Sequence, residues 1–133
     1  MIKRRTCTVK DNPPNTYGDC VAQCINMLTD RDDAPHIFAQ GFTDPVASWN
    51  QMRQYLAGHG KTLFVTHSDD DPREWMKLNN AGIPYMLMCQ SAGGDHAVVC
   101  IGDEVHNPAW YTFGIDGPLS QGFYIIGIVG VLP

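Results

Sequence analysis

Apolar positions change their rhythm about halfway along this chain. In the first half they recur at three- and four-residue spacing, which marks helices with one buried face. Val21, Ala22, Ile25 and Leu28 follow the opening Tyr17-Gly18-Asp19-Cys20 and predict a helix from Cys20 to about Thr29. Asp19 stands where its carboxylate can cap the orphan N–H groups of that first turn. Residues 34–41, with Pro35 near the start and Gly41 at the close, predict a short second helix. Asp44-Pro45 opens a third, with a stripe of Val46, Trp49, Met52 and Leu56, Tyr55 beside it, and Gly58 or Gly60 as its stop.

The second half reads differently. Residues 62–66 predict a strand, and residues 71–78 a short helix halted by Asn79, Asn80 and Gly82. Three apolar runs rich in Ile, Val, Met and Tyr follow at 83–89, 97–101 and 122–131, each bounded by glycine or proline. Such runs belong to well-buried strands, here of an antiparallel sheet. Residues 6–9 predict one further short strand, and Lys10 to Gly18 a loop. Helices first and a sheet afterwards is an α+β arrangement: N-terminal helices packed on a C-terminal antiparallel sheet, in a single domain over 1–133.

Composition narrows the function classes. The 133 residues are 44% hydrophobic and 17% charged, the balance of a globular chain with one core. A net charge of −5 argues against nucleic acid or an anionic membrane as partner, because both select basic surfaces. Lys3-Arg4-Arg5 is expected to be a solvated cluster rather than a binding arm. No signal-type apolar stretch follows Met1, so the cytoplasm is the expected location. Five cysteines without framework-like spacing fit a reducing compartment. Oligomeric state leaves no readable trace in the chain.

The candidate chemistry lies in two distant stretches. Cys20 heads a helix, where free N–H groups and the positive dipole end depress a thiol pKa. His96 opens a strand just after the Ser91–Gly94 turn, and Asn107 ends the next short strand, before Pro108. Pairing of residues 96–101 with 104–107 would bring His96 and Asn107 to the same sheet end. A helix start packed there would bring Cys20 to His96. A thiol nucleophile needs such a base, and the base needs a third group to fix its tautomer.

These stretches carry a family resemblance. Gly18-Asp19-Cys20 before an apolar helix, Asp95-His96-Ala97-Val98-Val99 before Gly102, and His106-Asn107-Pro108 resemble the papain-like peptidase domain of bacteriocin-processing transporters. They are closer still to small papain-like proteins found in phage genomes, where a Pro-His-Phe-like segment and a tryptophan-bearing helix follow, as Pro35-His36-Ile37-Phe38 and Trp49 do here. The resemblance implies a papain-like fold with Cys20 as nucleophile, His96 as base and acid, and Asn107 as the orienting group. It implies amide hydrolysis of a peptide or protein substrate without a cofactor, with deamidation and acyl transfer using the same residues. For a phage-encoded chain the location would be the host cytoplasm.

One departure stands out. The resembled peptidases carry a glutamine shortly before the cysteine as oxyanion donor, and none lies between Lys10 and Asp19. Asn15 and Asn12 are the candidate replacements, with the Cys20 N–H as second donor, while Gln23 points a turn away. The missing amide motivates the alternative, a weak or inactive papain-fold module that binds or inhibits a host protein or holds a small ligand. Simpler readings of single residues stand beside these. Cys20 could be a small buried hydrophobe, Cys24 a core residue or a resolving thiol, and Asn107 a turn former. His36 is a rival base, His106 is expected to be structural, His59 and His67 surface residues, and Trp49 and Trp75 core. A zinc site from Cys20 and Cys24 with Cys89, His96 or Cys100 is the rival chemistry, disfavoured because its one tight cysteine pair lies inside a helix.

Overall fold

The computed structural model describes residues 2–91, 94–112 and 114–130. It is an α+β fold whose elements run α1 (Cys20–Thr29), α2 (Pro45–Ala57), β1 (Lys61–Ser68), α3 (Arg73–Asn80), β2 (Tyr85–Ser91), β3 (Gly94–Ile101), β4 (Glu104–His106) and β5 (Phe123–Gly130). The five strands form one sheet in the order β1-β5-β2-β3-β4, with every neighbouring pair antiparallel. Positions 92 and 93 of the predicted turn, and position 131 of the predicted last strand, lie outside the described residues.

The apolar runs have no alternation because both sheet faces are covered. Met86, Met88, Ala97, Val99 and Ile126 point into a core shared with Ile25 of α1 and Met52 and Leu56 of α2. Their neighbours Tyr85, Leu87, Cys89, Val98, Cys100, Phe123 and Ile125 point into a second core closed by Met76 of α3. The helices therefore do not all stack on one side: α3 lies on the face opposite α1 and α2. Among the described residues no helix is long and apolar enough to cross a membrane.

Several expectations are corrected. Residues 6–9 form no strand, because the N–H of Cys7 goes to the Pro108 carbonyl and those of Thr8 and Val9 to the Asp19 carboxylate. Residues 34–41 form turns instead of a helix. Tertiary anchors hold that segment: Ile37 and Phe38 are buried, Ala34 N–H donates to Asn26 Oδ1 at 2.9 Å, and His36 Nε2–H donates to the Tyr17 carbonyl at 2.8 Å. Val46 heads the α2 stripe but is 71% exposed, so the buried face begins a turn later. Trp75 is exposed, its place in the core taken by Met76. Arg5 is buried rather than solvated, paired with Asp32 at 2.7 Å and Asp30 at 3.3 Å just beyond the end of α1.

Candidate active site

The start of α1 is sewn to the segment before it through one carboxylate. Asp19 occupies the cap position, yet its side chain makes no cap hydrogen bond. It turns instead to residues 8 and 9, accepting from Thr8 N–H at 2.9 Å, Thr8 Oγ1–H at 2.7 Å and Val9 N–H at 3.1 Å. Gln23 Nε2 donates the fourth bond at 3.0 Å. Burial would raise the Asp19 pKa, but these donors outweigh it and hold the carboxyl below its ordinary value. The arrangement fixes residues 7–9 against the helix start, so Cys7 lies beside Cys20.

Around the Cys20 sulfur stand three groups. Cys7 Sγ lies 3.4 Å away and Tyr111 Oη 3.8 Å away, and the His96 imidazole stands near enough for its charge to lower the Cys20 pKa. The Tyr111 oxygen accepts from Asp11 N–H at 3.0 Å and keeps its own proton available to donate to the sulfur. The Cys7 hydrogen bond is the strongest influence lowering the Cys20 pKa, opposed by burial, with His96 and Tyr111 adding to the lowering. Cys7 goes the other way, raised first by its bond to Cys20 and then by burial and the nearby Asp19 charge. Of the two sulfurs, Cys20 therefore takes the negative charge, with the N-terminal end of α1 behind it.

His96 is 5% exposed and held in one tautomer by its partner. Asn107 Nδ2 donates to the Thr112 carbonyl and to Thr112 Oγ1, each at 3.1 Å, which fixes the amide with its oxygen turned the other way. That Oδ1 accepts from Ala109 N–H at 3.0 Å and faces His96 Nε2 at 2.7 Å. Nε2 must then carry the proton and donate, leaving Nδ1 for the thiol. Burial alone would lower the His96 pKa. The hydrogen bond and charge of Cys20, followed by the Asn107 bond, overcome it and raise the imidazole pKa. The two shifts together favour a thiolate–imidazolium pair.

Cys20 and His96 open onto a groove of about 360 Å³. Its walls are Tyr17, Val21, Phe38 and Phe42, with Asp11 and Asp95 also lining it. Gly18 and Gly41 let this groove close around the sulfur. A Cβ at Gly18 would sit 2.7 Å from the Tyr111 hydroxyl, and one at Gly41, whose φ is +82°, would sit 2.9 Å from the Tyr17 ring. Residues of the 10–18 and 30–45 loops thus line the groove, whereas Tyr111 and Thr112 of the 107–121 loop line a smaller hollow beside it.

The structure brings together Cys20, His96 and Asn107, and leaves the other candidates elsewhere. Asn12 and Asn15 belong to a tight turn closed by Asn12 and Thr16; both are exposed, and neither lines the groove. Gln23 is committed to Asp19, and His36 to the Tyr17 carbonyl. Cys24 is fully buried in the first core, while Cys89 and Cys100 pack in the second. Among the described residues no three His, Cys, Asp or Glu side chains are arranged to hold a metal ion. His59 packs edge-on against Tyr55, His67 contacts the Gln121 carbonyl, and His106 contacts Glu104 at 3.3 Å. Cys7, Tyr111 and Thr112 were not foreseen. They sit in irregular segments, so neither periodicity nor spacing signals them.

Fold and site together define an α+β domain with a low-pKa thiol at a helix start, beside an imidazole whose tautomer an amide sets. No family model, curated protein or solved structure matches the chain.

Proposed function

We propose that the protein is a small papain-like cysteine hydrolase that cleaves an amide bond in a peptide or protein. The observation that carries this reading is the Asn107–His96 bond, which occupies Nε2 and leaves Nδ1 as the ring nitrogen available to Cys20 in the groove both residues line. The Cys20 thiolate attacks the carbonyl carbon and a tetrahedral oxyanion forms. The His96 imidazolium then protonates the leaving amine, and the acyl group stays on Cys20. In the second half His96 takes a proton from water, the hydroxide attacks the thioester, and Cys20 departs as thiolate. Asn107 keeps the ring in place through both halves.

The oxyanion needs donors other than the missing glutamine. The Cys20 backbone N–H, at the first helical position, has no acceptor within its own helix. The Tyr111 hydroxyl supplies a second donor at the sulfur, in place of Asn12 or Asn15. Apolar walls and the carboxylates of Asp11 and Asp95 suit a substrate with an apolar side chain and neutral or basic neighbours.

The test is hydrolysis of a fluorogenic peptide library by wild type, Cys20→Ala and His96→Ala. Turnover by wild type and none by either variant is the expected result. Equal turnover in all three overturns the reading. Turnover in none of them favours the binding module, which the 6% exposure of Cys20 and the absence of an asparagine or glutamine among the described groove residues also support.

A further inference from the structure

A hydrolase of this kind needs one thiol, and this site holds two. Cys7 and Cys20 are both free, and their sulfurs lie 3.4 Å apart. The Cys7 position is specified from both sides. Its own N–H is bound by the Pro108 carbonyl at 2.9 Å, next to the orienting Asn107, and the two residues after it are bound by Asp19, next to the nucleophile. A disulfide needs about 2.05 Å between sulfurs, so an approach of about 1.4 Å would join them. Cys24, one turn further along α1, is fully buried. Cys24 thus fits its reading as a core residue, and the thiol beside Cys20 comes from the irregular segment before the helix.

We propose that Cys7 and Cys20 are a redox pair, in which a hydroperoxide oxidises Cys20 and Cys7 resolves it into a reversible disulfide. The inference rests on the hydrolase reading only for its consequence, the blocking of the nucleophile; the pairing itself stands on the two sulfurs. In the first step the Cys20 thiolate attacks the outer peroxide oxygen. An S–O bond forms, the O–O bond breaks, and the departing alkoxide or hydroxide takes a proton, leaving a sulfenic acid. The sulfur has then given two electrons to the peroxide. In the second step Cys7 gives up its proton and its sulfur attacks the sulfur of Cys20. An S–S bond forms, the S–O bond breaks, and the hydroxide leaves with that proton as water. Cys20 lines the groove, which gives a small peroxide its route in. Joined to Cys7, Cys20 can neither attack a carbonyl nor progress to the irreversible sulfinic acid.

The experiment treats the reduced protein with a molar excess of hydrogen peroxide, traps remaining thiols with N-ethylmaleimide, and maps the peptides by mass. The expected product has lost two hydrogens and contains Cys7 linked to Cys20, with Cys24, Cys89 and Cys100 unlinked. Dithiothreitol restores both thiols. In Cys7→Ser the linkage is absent and Cys20 gains two oxygens that dithiothreitol does not remove. The proposal is overturned if wild type forms no Cys7–Cys20 link, or if Cys20 is over-oxidised equally in wild type and variant. Should Cys7→Ser fail to fold, the wild-type map decides alone. None of these readouts uses a substrate. Linkage without any hydrolysis would sink the hydrolase and keep the pair, and hydrolysis without linkage would do the reverse.

Discussion

Cys89 and Cys100 sit in the core on the α3 side of the sheet, Cys20 in the core on the α1 side. All three are buried, yet their chemistry diverges. Burial pushes the Cys89 thiol up to about 12 and the Cys100 thiol up to about 11, so both stay protonated and serve as small apolar side chains. Cys20 feels the same burial, but Cys7, His96 and Tyr111 aim donors at its sulfur and the balance reverses. Reactivity follows from what is directed at a buried thiol rather than from how much solvent reaches it.

Removing one of those donors tests the contrast most severely. Tyr111→Phe is expected to lower kcat by about 10²–10³, the usual cost of losing an oxyanion donor, and to cost about 1 kcal/mol of stability through the lost bond from Asp11 N–H. Unaltered kcat would assign the tyrosine a packing role alone. Next in size is a pair of stability changes measured by urea unfolding. Leu87→Ala, in the α3-side core, is expected to cost roughly 3 kcal/mol and leave Cys20 labelling by iodoacetamide intact. Asp19→Ala is expected to cost roughly 2 kcal/mol by stranding the donors around it, and also to slow that labelling by releasing Cys7. A loss of labelling in the first variant, or its retention in the second, would mean the two cores are not chemically separate.

The smallest expected effect concerns pH. Because the Cys20 pKa is lowered, alkylation should reach half its maximum below the ordinary thiol value of about 8.5, while Cys89 and Cys100 stay unlabelled until the protein unfolds. Hydrolysis should fall on the acid side as Cys20 gains a proton. Because the His96 pKa is raised, it should fall on the alkaline side only above the ordinary imidazole value of about 6.5, where the imidazolium is lost. A labelling midpoint at or above the ordinary thiol value would erase the distinction between the two sets of cysteines.

What could be read from the chain tracks how locally each feature is determined. The helix from Cys20 to Thr29 follows from apolar spacing and the glycine before it, and its bounds agree with the structure. The grouping of Cys20, His96 and Asn107 was legible because a helix start, a strand start and a strand end are local events. Strands β2, β3 and β5 were legible as apolar runs, but not which of their residues face which core. Residues 6–9 and 34–41 misled for one physical reason. The N–H groups of Cys7, Thr8, Val9 and Ala34 go to the Pro108 carbonyl, the Asp19 carboxylate and the buried Asn26 amide, partners that lie outside each segment. The partner of Cys20 was hidden in the same way, since Cys7 is carried to it by a carboxylate whose expected duty was to cap α1.

The Thr112 carbonyl also restricts what can stand at position 107. It accepts a hydrogen bond from the Asn107 amide, and so does the hydroxyl of the same threonine. An acid in place of that amide would set a carboxylate oxygen against a carbonyl oxygen, two acceptors with nothing to share. Acidic and amide versions of this third residue are therefore not interchangeable in this chain, and moving from one to the other would require the backbone at Thr112 to turn first.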